Sequence, residues 1–423
     1  VVIAIYGLFA CFTFQHFVAY DFSAVFRNVY NENSVGWWRI LFLTPYFLLP
    51  STISSVSLFV SWILSFTIFV PFLLVAPQLS VLPAQQVNLI CVLLALGLLT
   101  TFSALQTFRI TLKPIGIKPR TVQIGSIILL IALLTVLIKN LGIKNPFIWG
   151  EELYMRRAWF KESLANSGSI SGYCYALVKS LIAPCAILVG LERRQPLILA
   201  VGLVITGYVF GLAGEKSSIF APLALLPAYL VLKHPFKFNS LAIAGLIMGL
   251  ISALIWISTL TNSKMLIALI VRRVFFAPAQ MAWHYFDYFW NLPAFRYADG
   301  SLRWLFTNPY PYSSPPQAIG LEVFNNPATH ANAAFFADAY VQAGWLGFFL
   351  SFGILILFLL ITDCVWRCGG KSPIIGAVAC LSLLGAGATG IQSLILTKGL
   401  GPLLLFAYLS SSVVHRSGHT KNT

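Results

Sequence analysis

Long apolar runs alternate with short polar interruptions along this chain. Read by run and interruption, the pattern predicts about twelve helices, near 1–19, 40–58, 59–77, 87–108, 121–138, 173–191, 196–213, 216–232, 240–260, 343–362, 373–390 and 396–414. These reach or approach the ~20 residues needed to cross a hydrocarbon core as helix. The run 40–77 is broken only by Pro45, Pro50 and Pro71, so it reads as two short helices or one long kinked one. That choice sets the side on which 20–39 lies.

Composition narrows the class. Of 423 residues, 58% are hydrophobic and 9% charged, against roughly 25% charged in an average soluble domain. Too little polar material exists to coat a water-soluble globule. The net charge of +15 does not support a nucleic-acid partner, because the basic residues are scattered among apolar spans. The reading is a single all-α polytopic membrane domain over 1–423, with the lipid bilayer as its first partner. The chain opens with Val1 inside an apolar run and has no charged leader, so no cleavable signal peptide is expected. Five of the seven cysteines (Cys11, Cys91, Cys174, Cys185 and Cys380) lie in apolar stretches as small hydrophobes. Cys364 and Cys368 flank Trp366 at a spacing that fits no familiar zinc pattern.

Lys and Arg prefer the cytoplasmic side of short loops. Arg109, Lys113, Lys118 and Arg120 cluster between the fourth and fifth spans. Counting two spans at a time reaches Arg193 and Arg194, then Lys233 and Lys237, then Arg367 and Lys371, and the tail with Arg416 and Lys421. An even span count puts both ends of the chain on that side. The opposite side receives two long segments, 139–172 and 261–342, and ten of the twelve acids.

The first long segment carries Glu151, Glu152, Arg156, Arg157 and Lys161, with Leu153, Phe160 and Leu164 on one helical face. An amphipathic helix at the interface would hold the two guanidiniums at phosphate depth, where headgroup anchoring explains them equally well. The second begins around Arg272 and Arg273, passes an aromatic stretch at 283–290, and continues through a proline-rich run. Its rings suit headgroup anchoring and sugar stacking alike. It ends with His330, Asn332 and a helix bearing Asp338. Histidine titrates near neutrality and is the natural candidate for a base. Lys216 sits in a tight outer turn, where it suits phosphate oxygens or pairs with Glu215. Lys179, inside the sixth span, is a functional candidate by position, or snorkels to the surface.

At these residues the chain resembles the oligosaccharide repeat-unit polymerases of the O-antigen polymerase type, and more distantly the O-antigen ligases. The resemblance rests on a dozen spans, a long late outer loop, and two stretches: Arg272-Arg273 followed by Pro278-Ala279, and Asn332 through Asp338 and Tyr340 to Gly344-Trp345-Leu346-Gly347. The ligase relatives carry a His near an Asn ahead of a Gly-x-x-Gly helix, as at His330-Ala331-Asn332. Where they carry Ser-Arg-Gly, this chain has Glu215-Lys216-Ser217, so the cation is kept and the fork of Arg is lost.

The resemblance implies a C-type glycosyltransferase fold of the metal-free variant, in a bacterial inner membrane, with the active site outside. It implies transfer of a growing glycan from polyprenyl diphosphate to an acceptor repeat unit. Arg156, Arg157, Arg272 and Arg273, with Lys216 behind them, would hold the diphosphate in place of a metal, and no cofactor is expected. His330 would take the acceptor proton. Asn332 would orient it or a sugar hydroxyl, and Asp338 or Glu322 would set its tautomer. A chain-length regulator is a candidate further partner. Three rivals stay open: a lipid-linked oligosaccharide flippase, a metal-dependent C-type enzyme and a ligase.

Overall fold

The computed structural model describes residues 1–19, 37–113, 119–148, 150, 152–167, 169–234, 238–299, 304–326 and 331–410. Among these the fold is all-helical, apart from one isolated bridge between Thr52 and Asn239. Among the described residues eight helices are long and apolar enough to cross a membrane: Val2–Ala19, Val56–Leu79, Ala84–Thr107, Ile170–Glu192, Pro196–Ala213, Ser240–Leu260, Phe335–Cys368 and Ile391–Leu409. Three shorter apolar helices, Ile127–Leu141, Ala224–Lys233 and Pro373–Ala388, fall where further spans are expected. The protein is a polytopic helical membrane protein.

The expected span at 40–58 is corrected. Trp37–Leu48 forms a 3-10 helix instead, and Val56–Leu79 is a separate span. Pro45 lies inside the 3-10 helix, and Pro50, which can donate no hydrogen bond, follows its end. The next helix starts where Ser55 caps it, its hydroxyl accepting from the Leu58 N–H. At ~2.0 Å per residue a 12-residue 3-10 helix is ~24 Å long, most of a ~30 Å hydrocarbon core. It lies along Ala84–Thr107, with Tyr46 and Phe102 ring centroids 5.3 Å apart. The run 40–77 therefore contains two helices of different pitch.

Two of the basic connections meet at one end of the bundle. Arg367 Nη2 donates to the Ile110 carbonyl at 3.2 Å and Tyr408 Oη to the Lys113 carbonyl at 2.6 Å. One turn before Arg367, the buried Asp363 accepts from the Ser57 N–H at 2.9 Å and from the Ser57 hydroxyl. Val1 lines a cavity of about 410 Å³ with Ser51 and Ser240, beside the Thr52–Asn239 bridge. Both ends of the described chain thus lie at the end that carries Lys113 and Arg367.

Two main cores, with a small third cluster of Ile148, Leu153 and Phe210, hold the described part of the bundle. The larger one centres on rings: Trp283 stacks on Phe72 at 4.7 Å and 16°, and its indole N–H donates to the Phe72 carbonyl at 2.9 Å. Phe286, Phe336, Tyr340 and Phe348 pack around this pair. Trp283, Tyr285 and Phe286 belong to helix Ala277–Phe289, inside the long stretch 261–342, and all three are fully buried. The smaller core joins Phe160 of helix Glu152–Ser167 to Tyr175, with centroids 4.6 Å apart. Phe160 is buried in that core and Leu164 packs against it, while Leu153 is buried in a separate cluster with Ile148 and Phe210.

The helix Phe335–Cys368 is broken at Ala343 and Gly344. Gly344 has φ +61° and ψ −152°, a region that side chains rarely adopt, so glycine is what permits the break there. It separates the outer turns, 335–342, from the span proper. It also frees the last carbonyls of those turns from intrahelical bonding.

Candidate functional site

Those freed carbonyls hold a loop. The Val341 carbonyl accepts from the Phe295 N–H at 3.0 Å, and the Gln342 carbonyl from the Arg296 N–H at 2.8 Å. The buried Gln342 side chain adds two bonds: Oε1 accepts from the Tyr297 N–H at 2.8 Å, and Nε2 donates to Asp299 Oδ1 at 3.1 Å. Arg296 and Tyr297 hold φ +55° and +58°, a sparsely populated region for side-chain-bearing residues that these four bonds stabilise. The result is to place Asp299 beside Asp338.

Asp299 and Asp338 line a polar cavity of about 270 Å³ with Tyr285, Tyr297, Asn332 and Gln342. Residues Thr389 to Ser393 close its far wall, where the Asp338 carboxylate packs directly against Gly390. Tyr285 donates its hydroxyl to the Ala331 carbonyl at 2.9 Å. Burial pushes Asp299 above the usual carboxylate range, although its Gln342 bond acts the other way. Burial also raises Tyr297, reinforced by the Asp338 and Asp299 charges.

A second concavity, about 440 Å³, is an amphipathic groove. Phe160, Leu164 and Tyr173 supply apolar wall; Lys179, Lys398 and Glu215 supply charge. Lys179 Nζ pairs with Glu215 Oε2. The Glu215 turn is held from outside by Arg157, whose Nε and Nη2 donate to the Gly214 carbonyl at 3.1 and 3.0 Å. The two concavities flank one short helix, Ile391–Leu396. The polar cavity touches its first residues and the groove touches Thr397 and Lys398 just past its end. Only Leu394, Ile395 and Leu396 lie between them, a separation of ~6 Å along the helix at 1.5 Å rise per residue.

The sequence candidates are partly brought together. Asn332 and Asp338 share the polar cavity. Arg156 pairs with Glu152 at 3.5 Å on the outer helix, while Arg157 binds the Gly214 turn beside the groove. Lys216 opens helix Lys216–Lys233; its side chain lies outside the described residues. Arg272 and Arg273 lie on the Ile267–Phe276 segment and line neither concavity. Glu322 is exposed and accepts from the Tyr312 hydroxyl, away from the polar cavity. His330 lies outside the described residues.

Sequence reasoning missed Asp299, Gln342 and Lys398. Lys398 had a signal: it is an ionisable residue near the start of an apolar run, and such residues are functional candidates. Asp299 had none, because its role depends on a broken helix 43 residues later. Among the described residues no group of three or more His, Cys, Asp or Glu is placed to share a metal ion. No family model, no curated protein and no solved structure matches the chain.

Proposed function

We propose that this protein is a glycosyltransferase of the O-antigen polymerase type, with a C-type, metal-free fold, that lengthens lipid-linked oligosaccharides. The observation that supports this reading most is the pairing of an acid-bearing polar cavity with a lysine-bearing amphipathic groove across one short helix. A glycan acceptor suits the first. A diphosphate on a polyprenyl tail suits the second, with apolar wall for the lipid and ammonium groups for the phosphates.

In the proposed reaction an acceptor hydroxyl attacks the anomeric carbon of the donor glycan. The bond from that carbon to the diphosphate oxygen breaks, and the diphosphate leaves with the electron pair. Lys179 and Lys398, with Lys216, Arg156 and Arg157 on adjoining elements, would stabilise the charge that grows there. His330 would accept the proton, while Asn332 and Asp338 orient the acceptor. The end that carries Lys113 and Arg367 would face the cytoplasm of a bacterial inner membrane, following the charge rule.

A deletion strain tests this. Its surface glycan, separated on a gel, should lose the ladder and keep a single unit. Complementation with His330→Ala should leave the ladder missing at unchanged protein level. Loss of every unit on the acceptor would indicate a ligase. Carrier-linked unit accumulating on the inner face would indicate a flippase.

A further inference from the structure

We propose that the polar cavity is a subsite for one sugar without negative charge, hydroxyl- or amino-bearing, and that it refuses uronic acids. This rests on the glycosyltransferase reading above and narrows its acceptor. The volume, about 270 Å³, falls just below the ~300–1,000 Å³ of pockets for drug-sized ligands. It matches a single ring rather than a whole repeat unit.

The lining decides the charge. Two carboxylates, Asp299 and Asp338, face the cavity, and no Lys, Arg or His is among its described lining residues. Asp299 cannot swing away, because Gln342 holds Oδ1 at 3.1 Å while the same side chain fixes the Tyr297 N–H. The Asp338 carboxylate is confined from behind by Gly390, and no hydrogen bond to it is found among the described residues. Ionised carboxylates only accept hydrogen bonds. Their complement is a ligand rich in donors, and a pair of sugar hydroxyls or an ammonium supplies that. A uronic acid would bring its own carboxylate against this pair of carboxyl groups, with no cation among the described lining residues to offset it, and like-charge juxtaposition is strongly unfavourable.

The test uses the full chain in lipid nanodiscs at pH 7.5. Saturation-transfer NMR is recorded with methyl glucoside, methyl galactoside and glucosamine, and with glucuronate and galacturonate. At least one of the first three should bind, with its uronic counterpart at least about tenfold weaker. The D299N/D338N double variant, which keeps shape and removes both charges, should lose most of that discrimination. Equal or tighter binding of the uronic acids would overturn the proposal, as would silence from all five sugars or discrimination unchanged in the double variant. The two readings fail separately. If discrimination is found and a deletion strain keeps its ladder, the polymerase reading falls and the sugar subsite stands. If the ladder is lost and uronic acids bind equally, only the subsite falls.

Discussion

Asp287→Asn should raise stability at neutral pH and flatten its dependence on pH. Asp287 sits half-buried near the end of helix Ala277–Phe289. It accepts from the Ser80 hydroxyl at 2.5 Å, in the turn between spans Val56–Leu79 and Ala84–Thr107, and the Val81 and Leu82 amides also favour its charge. Burial outweighs these partners and pushes the carboxyl up to about 6 from 3.8. The folded chain therefore holds this proton more tightly than the unfolded one. Stability is greatest below about pH 4, falls as pH rises toward 6, and levels off above. Two pKa units at 1.36 kcal/mol each give a penalty of ~3 kcal/mol at pH 7.5. Asparagine keeps an acceptor for Ser80 and has no charge to desolvate. Some of that gain is offset by the weaker bonds of a neutral acceptor, leaving about 1–3 kcal/mol. Thermal unfolding in detergent, followed by tryptophan fluorescence from pH 4 to 8, measures it. The two proteins should converge at pH 4 and separate toward pH 7.5, with the variant above. A variant equal to or below wild type at pH 7.5, on a parallel curve, would refute the reasoning.

Three further substitutions probe the site. Gly390→Ala places a methyl where the Asp338 carboxylate packs, with Cγ at 3.0 Å; displacing that group should cut elongation by up to ~10²-fold with little change in unfolding temperature. Arg157→Lys keeps the charge but replaces a fork of two bonds to Gly214 with one. The lost charge-assisted bond is worth ~1.5 kcal/mol or more, so elongation should fall about tenfold while protein level holds. Lys398→Met removes one cation from the groove while keeping much of the apolar stem. Capture of farnesyl diphosphate by the purified protein should weaken about tenfold, with a shallower salt dependence.

How much the sequence disclosed depends on the range of each interaction. Spans were legible because burial in lipid demands continuous apolar runs, and Val56–Leu79 or Ser240–Leu260 could hardly be read otherwise. The 3-10 helix Trp37–Leu48 was not legible, since its run has the composition of a span and only Pro45 and Pro50 hint at a change. The face of Glu152–Ser167 was legible from Leu153 and Phe160, whose spacing fixes it locally. Asn332 and Asp338 were found because they lie close together, one just before a helix and the other in its first turn. Their companion Asp299 reaches them through a loop clamped on Gln342, a contact without sequence periodicity. Lys179 looked unpaired in its span; its partner Glu215 is 36 residues on. The arginine pair Arg272–Arg273 carries a motif resemblance, yet its segment packs on Val56–Leu79 and Ser240–Leu260 rather than beside either concavity.

The most direct test of glycan transfer is reconstitution. Purified protein in liposomes is given a radiolabelled polyprenyl-diphosphate repeat unit, and the products are resolved by chain length. A ladder of lengthened glycans, with free carrier diphosphate released in step, is the outcome predicted. Label that stays on single units while crossing from one leaflet to the other would contradict it.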